Sequence, residues 1–221
     1  ARGPDGSLAV TGSAYTDDSR AASFLLLISR DGKQQTFVQL SPFVARAVTI
    51  ASDGTIWAVG REIVAGKELN PNHHVVRRFD PAGRMMASLI PRSSLVTKPG
   101  YEHPVEYSYL VSSKDRVGWY SEATGIYREF ALDGTQTKQF DTPSTTGMPG
   151  IALCDDGSLF VSTGYRRPTG EKGWGIYVLV RDRGIWTFGP RSERWGTLLG
   201  CDGTKVVSMT DVATVAWLEP K

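Results

Sequence analysis

The sequence predicts an all-β fold of repeated four-stranded antiparallel units, and three observations predict it. First, the stretch VTIASDGTIWAVG, Val48 to Gly60, reads as strand, Asp-Gly turn and strand, and this pattern recurs along the 221 residues. Asp5-Gly6, Asp53-Gly54, Asp156-Gly157 and Asp202-Gly203 stand beside or between apolar segments, with a degenerate copy around Asp115 in SSKDRVGWYS. From Asp to Asp the steps are 48, 62, 41 and 46 residues, which is a period. Second, another turn follows each of the first four copies, at Asp31-Gly32, Asp80 to Gly83, Asp133-Gly134 and Asp182 to Gly184. Third, Leu25 to Ile28, Leu159 to Val161 and Tyr177 to Val180 are continuously apolar, as in sheets covered on both faces.

Strand, DG turn, strand, variable loop, strand, second turn and strand within about 40 to 50 residues describe one blade of a β-propeller. A two-layer sandwich does not require a period with this internal order of turns. Each Asp-Gly pair is expected to make a two-residue mirror-image turn with positive φ at both residues. One domain over residues 1–221 is expected, with units near 1–43, 44–91, 92–143, 144–193 and 194–221. The expected strands number three, four, four, four and three. No strand precedes Asp5-Gly6, and the last unit stops at VAWLEPK before a fourth strand. Either part of the sequence is missing at the ends, or the ring has five blades with atypical terminal ones.

These units resemble the repeats of NHL-type, streptogramin-lyase-like and gluconolactonase-like propellers. Their repeat reads roughly as apolar strand, DG, aromatic-apolar strand, loop, apolar strand, D-x-x-G, strand. The resemblance covers nearly the whole chain and implies the fold, while the same repeat serves enzymes, binding modules and scaffolds. Gluconolactonase-like members imply a divalent cation held in the central channel by carboxylate and amide groups. Streptogramin-lyase-like members imply a histidine at a channel mouth. Those positions do not map onto particular residues of this chain, and Glu62 and His103 are the loop residues to test first.

Lys and Arg number 25 against 23 Asp and Glu, a formal net charge of +2, which argues against bulk nucleic acid as a partner. No stretch approaches the roughly 18 apolar residues of a membrane helix. The chain begins Ala1-Arg2-Gly3, read as a processed start or a boundary, and an extracytoplasmic location, periplasmic or secreted, is expected. Cys154 and Cys201 precede equivalent DG turns in consecutive repeats. Equivalent positions on adjacent blades are commonly too far apart for a disulfide, so two buried free thiols are expected.

Function is sought in the unequal loops. Asp17-Asp18 in the first is read as a solvated tip. Residues 61–74, REIVAGKELNPNHH, hold Glu62, Glu68, Asn70, Asn72, His73 and His74, a mixture suited to divalent metals or acid-base work. Adjacent histidines entering a strand point to opposite faces, so that pair does not readily chelate one ion. Residues 92–106 are read as an irregular excursion with one helical turn at SSLV, and Tyr101, His103, Tyr107 and Tyr109 as part of a ligand rim. SEATG is read as a short hairpin. Residues 164–175 carry Arg166, Arg167, Lys172 and Trp174, and with Arg181, Arg183, Arg191 and Arg194 they make the basic quarter. Arginine interleaved with tryptophan suits phosphate, carboxylate or sugar, but no phosphate loop is present, and dispersed surface charge on different strand faces is the preferred reading of this quarter. The six Trp, Trp195 and Trp217 among them, are expected mostly in the core.

No GxSxG, HExxH, CxxC or EF-hand pattern occurs. The expected function is a non-catalytic binding or protein-assembly scaffold whose loop rim takes a protein partner or small ligand. Its candidate residues are Glu62, His74, Tyr101, His103, Arg166, Arg167 and Trp174, with no metal ligand and no cofactor assigned. The alternative is a metal-dependent hydrolase or lyase with a divalent cation in the central channel.

Overall fold

The structure is a computed structural model and describes residues 1–15, 21–64, 67–68, 70–143, 150–166, 172–180, 183–189, 196–209 and 215–218. Five antiparallel sheets follow one another along the chain, so the protein is a five-bladed β-propeller. The first sheet comprises β1 (Leu8–Tyr15), β2 (Ala21–Ile28) and β3 (Gln35–Gln39). The second comprises β4 (Phe43–Ile50), β5 (Ile56–Val64), β7 (His74–Phe79) and β8 (Met85–Pro91), with β6 (Lys67–Glu68) paired to β5. The third holds β9 (Ser108–Ser112), β10 (Arg116–Ser121), β11 (Ile126–Ala131) and β12 (Gln136–Asp141). The fourth holds β13 (Ile151–Leu153), β14 (Leu159–Arg166), β15 (Lys172–Val180) and β16 (Ile185–Phe188). The fifth holds β17 (Thr197–Asp202), β18 (Lys205–Met209) and β19 (Val215–Leu218). Among the described residues the two-residue β6 is the one strand beyond the expected pattern. Among the described residues no helix is long and apolar enough to cross a membrane.

The DG turns are tighter in logic than expected. Glycines 6, 32, 54, 83, 134, 157, 184 and 203 have positive φ, but the only described non-glycine residues that do are Ile90 and Tyr107. The aspartates therefore do not adopt the mirror-image turn. Instead Gly54 N donates to Ala51 O at 3.0 Å, and Thr55 N donates to Asp53 Oδ1 at 3.0 Å. A negative-φ pair followed by one left-handed glycine is the three-residue hairpin connection, with the Asp side chain standing in for a backbone acceptor. Ser7 on Asp5, Lys33 on Asp31, Ala82 on Asp80, Thr135 on Asp133 and Ser158 on Asp156 repeat the side-chain bond. These bonds hold the Asp5, Asp31, Asp80 and Asp133 carboxyls below the usual carboxylate range, led by the Ser7 hydroxyl, the Ser29 hydroxyl, the Arg84 amide and the Thr135 amide respectively.

By packing, the chain divides into two compact units, residues 1–124 with 129–137 and residues 125–128 with 138–221. In the first unit, Ala9, Leu25, Phe43, Ile56, Ala58 and Phe79 form one buried cluster, and Trp57, Val59, Val76, Trp119 and Phe130 form another. The strand alternation thus buries both faces of β5, as its continuous apolar run requires. The core of the second unit gathers Ala152, Cys154, Phe160, Ile176, Leu198 and Val206.

Here the expectation of free thiols is overturned. Cys154 and Cys201 form a disulfide with Cα atoms 5.1 Å apart. The reason is a close approach that the Cys spacing does not reveal: a Cβ on Gly150 would lie 2.3 Å from Leu198 N, so this glycine lets β13 and β17 come together. Tryptophan burial is also only partly as expected. Trp57 and Trp119 are fully buried, whereas Trp217 is 55% exposed. The SEATG hairpin is present, with Gly125 in the left-handed region, and the helical turn falls at Arg92–Ser94, one residue earlier than expected. Asp17, Asp18, Arg167, Arg181, Asp182, Arg191, Arg194 and Trp195 lie outside the described residues.

Candidate functional site

The second blade has two unlike ends. At one, Asp53-Gly54 and Asp80 to Gly83 close tight turns. At the other, β5 runs on past its pairing with β7 to Val64, β7 starts at His74 and β8 stops at Pro91, so the β5–β7 connection and the segment after Pro91 both leave from this end. The first of these loops folds back on its own strand, with β6 setting Glu68 opposite Ile63. Asn70 then organises a turn: its side chain accepts from Asn72 N at 2.9 Å, and its carbonyl accepts from His73 N at 3.1 Å. That carbonyl also meets His73 Nδ1 at 2.5 Å. The turn directs His73 inward, its side chain fully buried, and leaves His74 exposed.

The second loop is tied down by apolar anchors and backbone bonds. Leu95 and Val105 are buried in the cluster that holds Trp57 and Trp119. Arg92 N donates to His73 O at 2.7 Å, Lys98 N to Ala123 O at 2.7 Å, and Ser121 Oγ to Pro104 O at 2.7 Å. Both positive-φ non-glycine residues flank this excursion: Ile90 at 59° just before it and Tyr107 at 47° just after it. A β-branched residue there is strained by about 1–3 kcal/mol, a cost that clusters at functional segments.

Together the loops assemble a polar cluster on Glu68. His73 Nε2 lies 3.5 Å from Glu68 Oε1, Arg92 Nε 3.7 Å from the same oxygen, and His103 Nδ1 3.8 Å from Glu68 Oε2. Ligand atoms of Glu102, His103 and Glu106 all fall within 4.8 Å of one another. Burial and then the neighbouring Arg46 push the Arg61 guanidinium down, against the opposing pull of Glu68, Glu106 and Glu102. Five buried atoms of the cluster have no hydrogen-bond partner: Arg61 Nε, Glu68 Oε1, His73 Nε2, Arg92 Nε and His103 Nδ1. The three separations from Glu68, 3.5–3.8 Å, are longer than hydrogen bonds, so His73, Arg92 and His103 face it without hydrogen-bonding it. With Nδ1 engaged by the Asn70 carbonyl, His73 carries its proton there when neutral and turns an Nε2 lone pair toward Glu68.

Beside this cluster, Tyr101 Oη donates to Glu122 Oε1 at 2.9 Å and its ring meets Tyr107 edge-on at 6.1 Å. Burial and then that bond push the Tyr101 hydroxyl up to about 12. Tyr109 packs on Tyr120 with ring centroids 5.9 Å apart, and burial pushes it to about 12 as well.

Of the residues singled out by sequence, His103 and Tyr101 come together in this region. Glu62 does not join them: it accepts from Arg77 Nη2 at 2.5 Å, and Arg77 stacks 4.1 Å over the Phe43 ring. His74 faces outward beside Pro91, its neighbour His73 being the inward member of the pair. Arg166 and Trp174 lie on the paired strands β14 and β15, against Lys172 and Gly164, and their side chains are outside the described set along with Arg167. Arg61 and Arg92 were not among the expected residues. Arg61 lies within β5 and Arg92 directly follows β8, so both stand toward the loop end of the second blade.

A half-open cavity of about 310 Å³ lies at the turn end, lined by Asp5, Leu27, Ile50, Gly54 and Pro81. It shares no residue with the polar cluster. Asp5 there already accepts from the Ser7 amide and hydroxyl, so the cavity does not gather unpaired chemistry.

No known family profile matches the sequence, and no curated protein matches it. Among solved structures the chain is similar to the β-propeller domain of the Trilobed protease from Pyrococcus furiosus. That match has 11% identity and a TM-score of 0.57, and covers 99% of this chain and 69% of the other. A protein of unknown function from Bacteroides caccae is similar at 14% identity and a TM-score of 0.50, covering 92% and 73%. Virginiamycin B lyase from Staphylococcus aureus is similar at 13% identity and a TM-score of 0.44, covering 96% and 88%. Likeness at such identities speaks to the propeller fold alone.

Proposed function

We propose that the protein is a non-catalytic binding propeller whose loop end of the second blade, with the rim at residues 92–106, holds a small polar ligand or the polar group of a protein partner. The observation that carries this is that three buried atoms without hydrogen-bond partners, His73 Nε2, Arg92 Nε and His103 Nδ1, converge on Glu68, whose Oε1 is itself without one. A buried polar atom left without a partner costs about 1–3 kcal/mol, which a bound group would offset. Arg61 and Arg92 suit an anionic group such as a carboxylate or phosphate, and the Tyr101 and Tyr107 rings offer apolar area beside it. The disulfide favours an extracytoplasmic location, where such bonds persist.

The test is a melting-temperature screen of carboxylates and phosphorylated small molecules in the presence of a chelator, on the natural chain and on Arg92→Ala. A ligand that stabilises the first and not the second supports the reading, by linkage. Ligands that stabilise both chains equally, or none that stabilises either, would count against it.

A further inference from the structure

We infer that the loop end takes a small zwitterion, a short amino acid whose carboxylate meets Arg92 and whose ammonium sits among Glu102, His103 and Glu106. This rests on reading the loop end as a binding site and says which class of ligand it takes. The first reason is that the unpaired atoms are of both kinds. Arg61 Nε and Arg92 Nε are donors, whereas Glu68 Oε1 is an acceptor and so is His73 Nε2 when the ring is neutral. A purely anionic ligand would serve the arginines and leave the acceptors unserved. It would also bring a second negative charge up to Glu68, whose Oε1 is 3.7 Å from Arg92 Nε.

The second reason is the spacing of the acceptors at the rim. One oxygen each from Glu102 and Glu106 and one ring nitrogen of His103 lie within 4.8 Å of one another. Three acceptors bonded at about 2.8 Å to one tetrahedral nitrogen stand about 4.6 Å apart. The triad thus admits an ammonium group, which has three N–H donors and no acceptor. Position joins the two halves and is the third reason. Glu68 lies between them, with Arg92 near one of its oxygens and His103 Nδ1 3.8 Å from the other. Toward the same carboxylate points His73, its ring completely buried and its Nε2 without a hydrogen-bond partner. That buried nitrogen is independent of the acids at the rim and marks the middle of the site as unfinished. Tyr101 and Tyr107, edge-on at 6.1 Å, stand beside the acids, and the Glu106 charge is near enough to act on the Tyr101 hydroxyl. Such rings suit the carbons of a ligand and its positive end. Charge agrees: Arg61 feels Arg46 together with Glu68, Glu102 and Glu106, and Arg92 makes three cations to three acids, a balance that a zwitterion preserves.

The test uses the natural chain under chelator and three matched series of probes, titrated by calorimetry. These are straight-chain carboxylates from acetate to hexanoate, the same acids with a terminal amine, from glycine to ε-aminohexanoate, and the corresponding alkylamines. One amino acid should bind at least roughly tenfold more tightly than both its amine-free acid and its acid-free amine, the worth of one charge-assisted hydrogen bond. Glu102→Gln and Glu106→Gln, at an exposed and a half-exposed position, should each bring the amino acid down toward its acid. Arg92→Ala should bring it down toward its amine. His74→Ala, on the exposed neighbour of His73, should bind as the natural chain does. The inference is overturned if no amino acid binds more tightly than both of its parents, if Glu102→Gln and Glu106→Gln keep the advantage, or if His74→Ala loses as much as they do. Acids that bind through Arg92 with no gain from the amine would sink the zwitterion and leave the anion reading standing. Should none of the three series bind, the inference falls, while the screen of phosphorylated ligands above still decides the broader reading.

Discussion

The two ends of the second blade are built from the same kinds of residue to opposite effect. At the turn end, Asp53 Oδ1 accepts from the Thr55 amide and, at 2.6 Å, from its hydroxyl. That hydroxyl accepts from Trp57 Nε1 at 3.1 Å, and Arg78 lies 3.5 Å from Asp53 Oδ2 and 5.8 Å from the Trp57 ring. Acid, hydroxyl, indole and guanidinium thus close on one another. At the loop end, His73, Arg92 and His103 stand 3.5–3.8 Å from Glu68, and Glu68 Oε1, His73 Nε2, Arg92 Nε and His103 Nδ1 have no hydrogen-bond partner. At the turn end only Arg78 Nε lacks a hydrogen-bond partner while the other groups named fasten the blade; at the loop end four side-chain atoms around Glu68 lack one.

The comparison can be broken or sharpened at several sizes of effect. Trp57→Ala should have the largest, about 3–5 kcal/mol of lost stability by urea unfolding, because a buried indole is replaced by a cavity. Gly54→Val should cost about 1–2 kcal/mol, since φ is 80° there and a β-branched residue does not tolerate the left-handed region. Asp53→Ala should cost about 1 kcal/mol and Asp53→Asn less, because the amide oxygen can still accept from Thr55.

The smallest effect is one of pH. Asp80 and Asp133 have folded values below their unfolded ones, through the Arg84 and Thr135 amides first. Such carboxyls contribute stability that is present above the unfolded value of about 3.9 and is lost as pH falls through the folded value. The melting temperature should therefore decline below roughly pH 4. The difference between the natural chain and Asp133→Asn should shrink over the same range, and a difference that grows on acidification would contradict the assignment.

Local signals were legible in the sequence and non-local ones were not. The repeat, the blades and the positions of the turns follow from DG pairs and apolar runs a few residues long. The turn conformation was misread because Gly54 alone supplies the positive φ, while the Asp53 carboxylate serves its neighbour's amide. Alternation required His73 and His74 to face opposite ways. The choice of His73 as the inward one depends on the Asn70 turn, where the pattern of loop residues carries no face. The Cys154–Cys201 bond depends on the backbone approach at Gly150, and Glu68 meets His103 only because Leu95 and Val105 pin a loop distant in sequence.

One measurement addresses the contrast most directly. His103→Phe keeps an aromatic ring and removes an unpartnered, half-buried imidazole from the loop end. In metal-free, ligand-free buffer its melting temperature should equal or exceed that of the natural chain. A drop as large as that of Asp53→Ala would mean that the loop end, like the turn end, is there to hold the blade together.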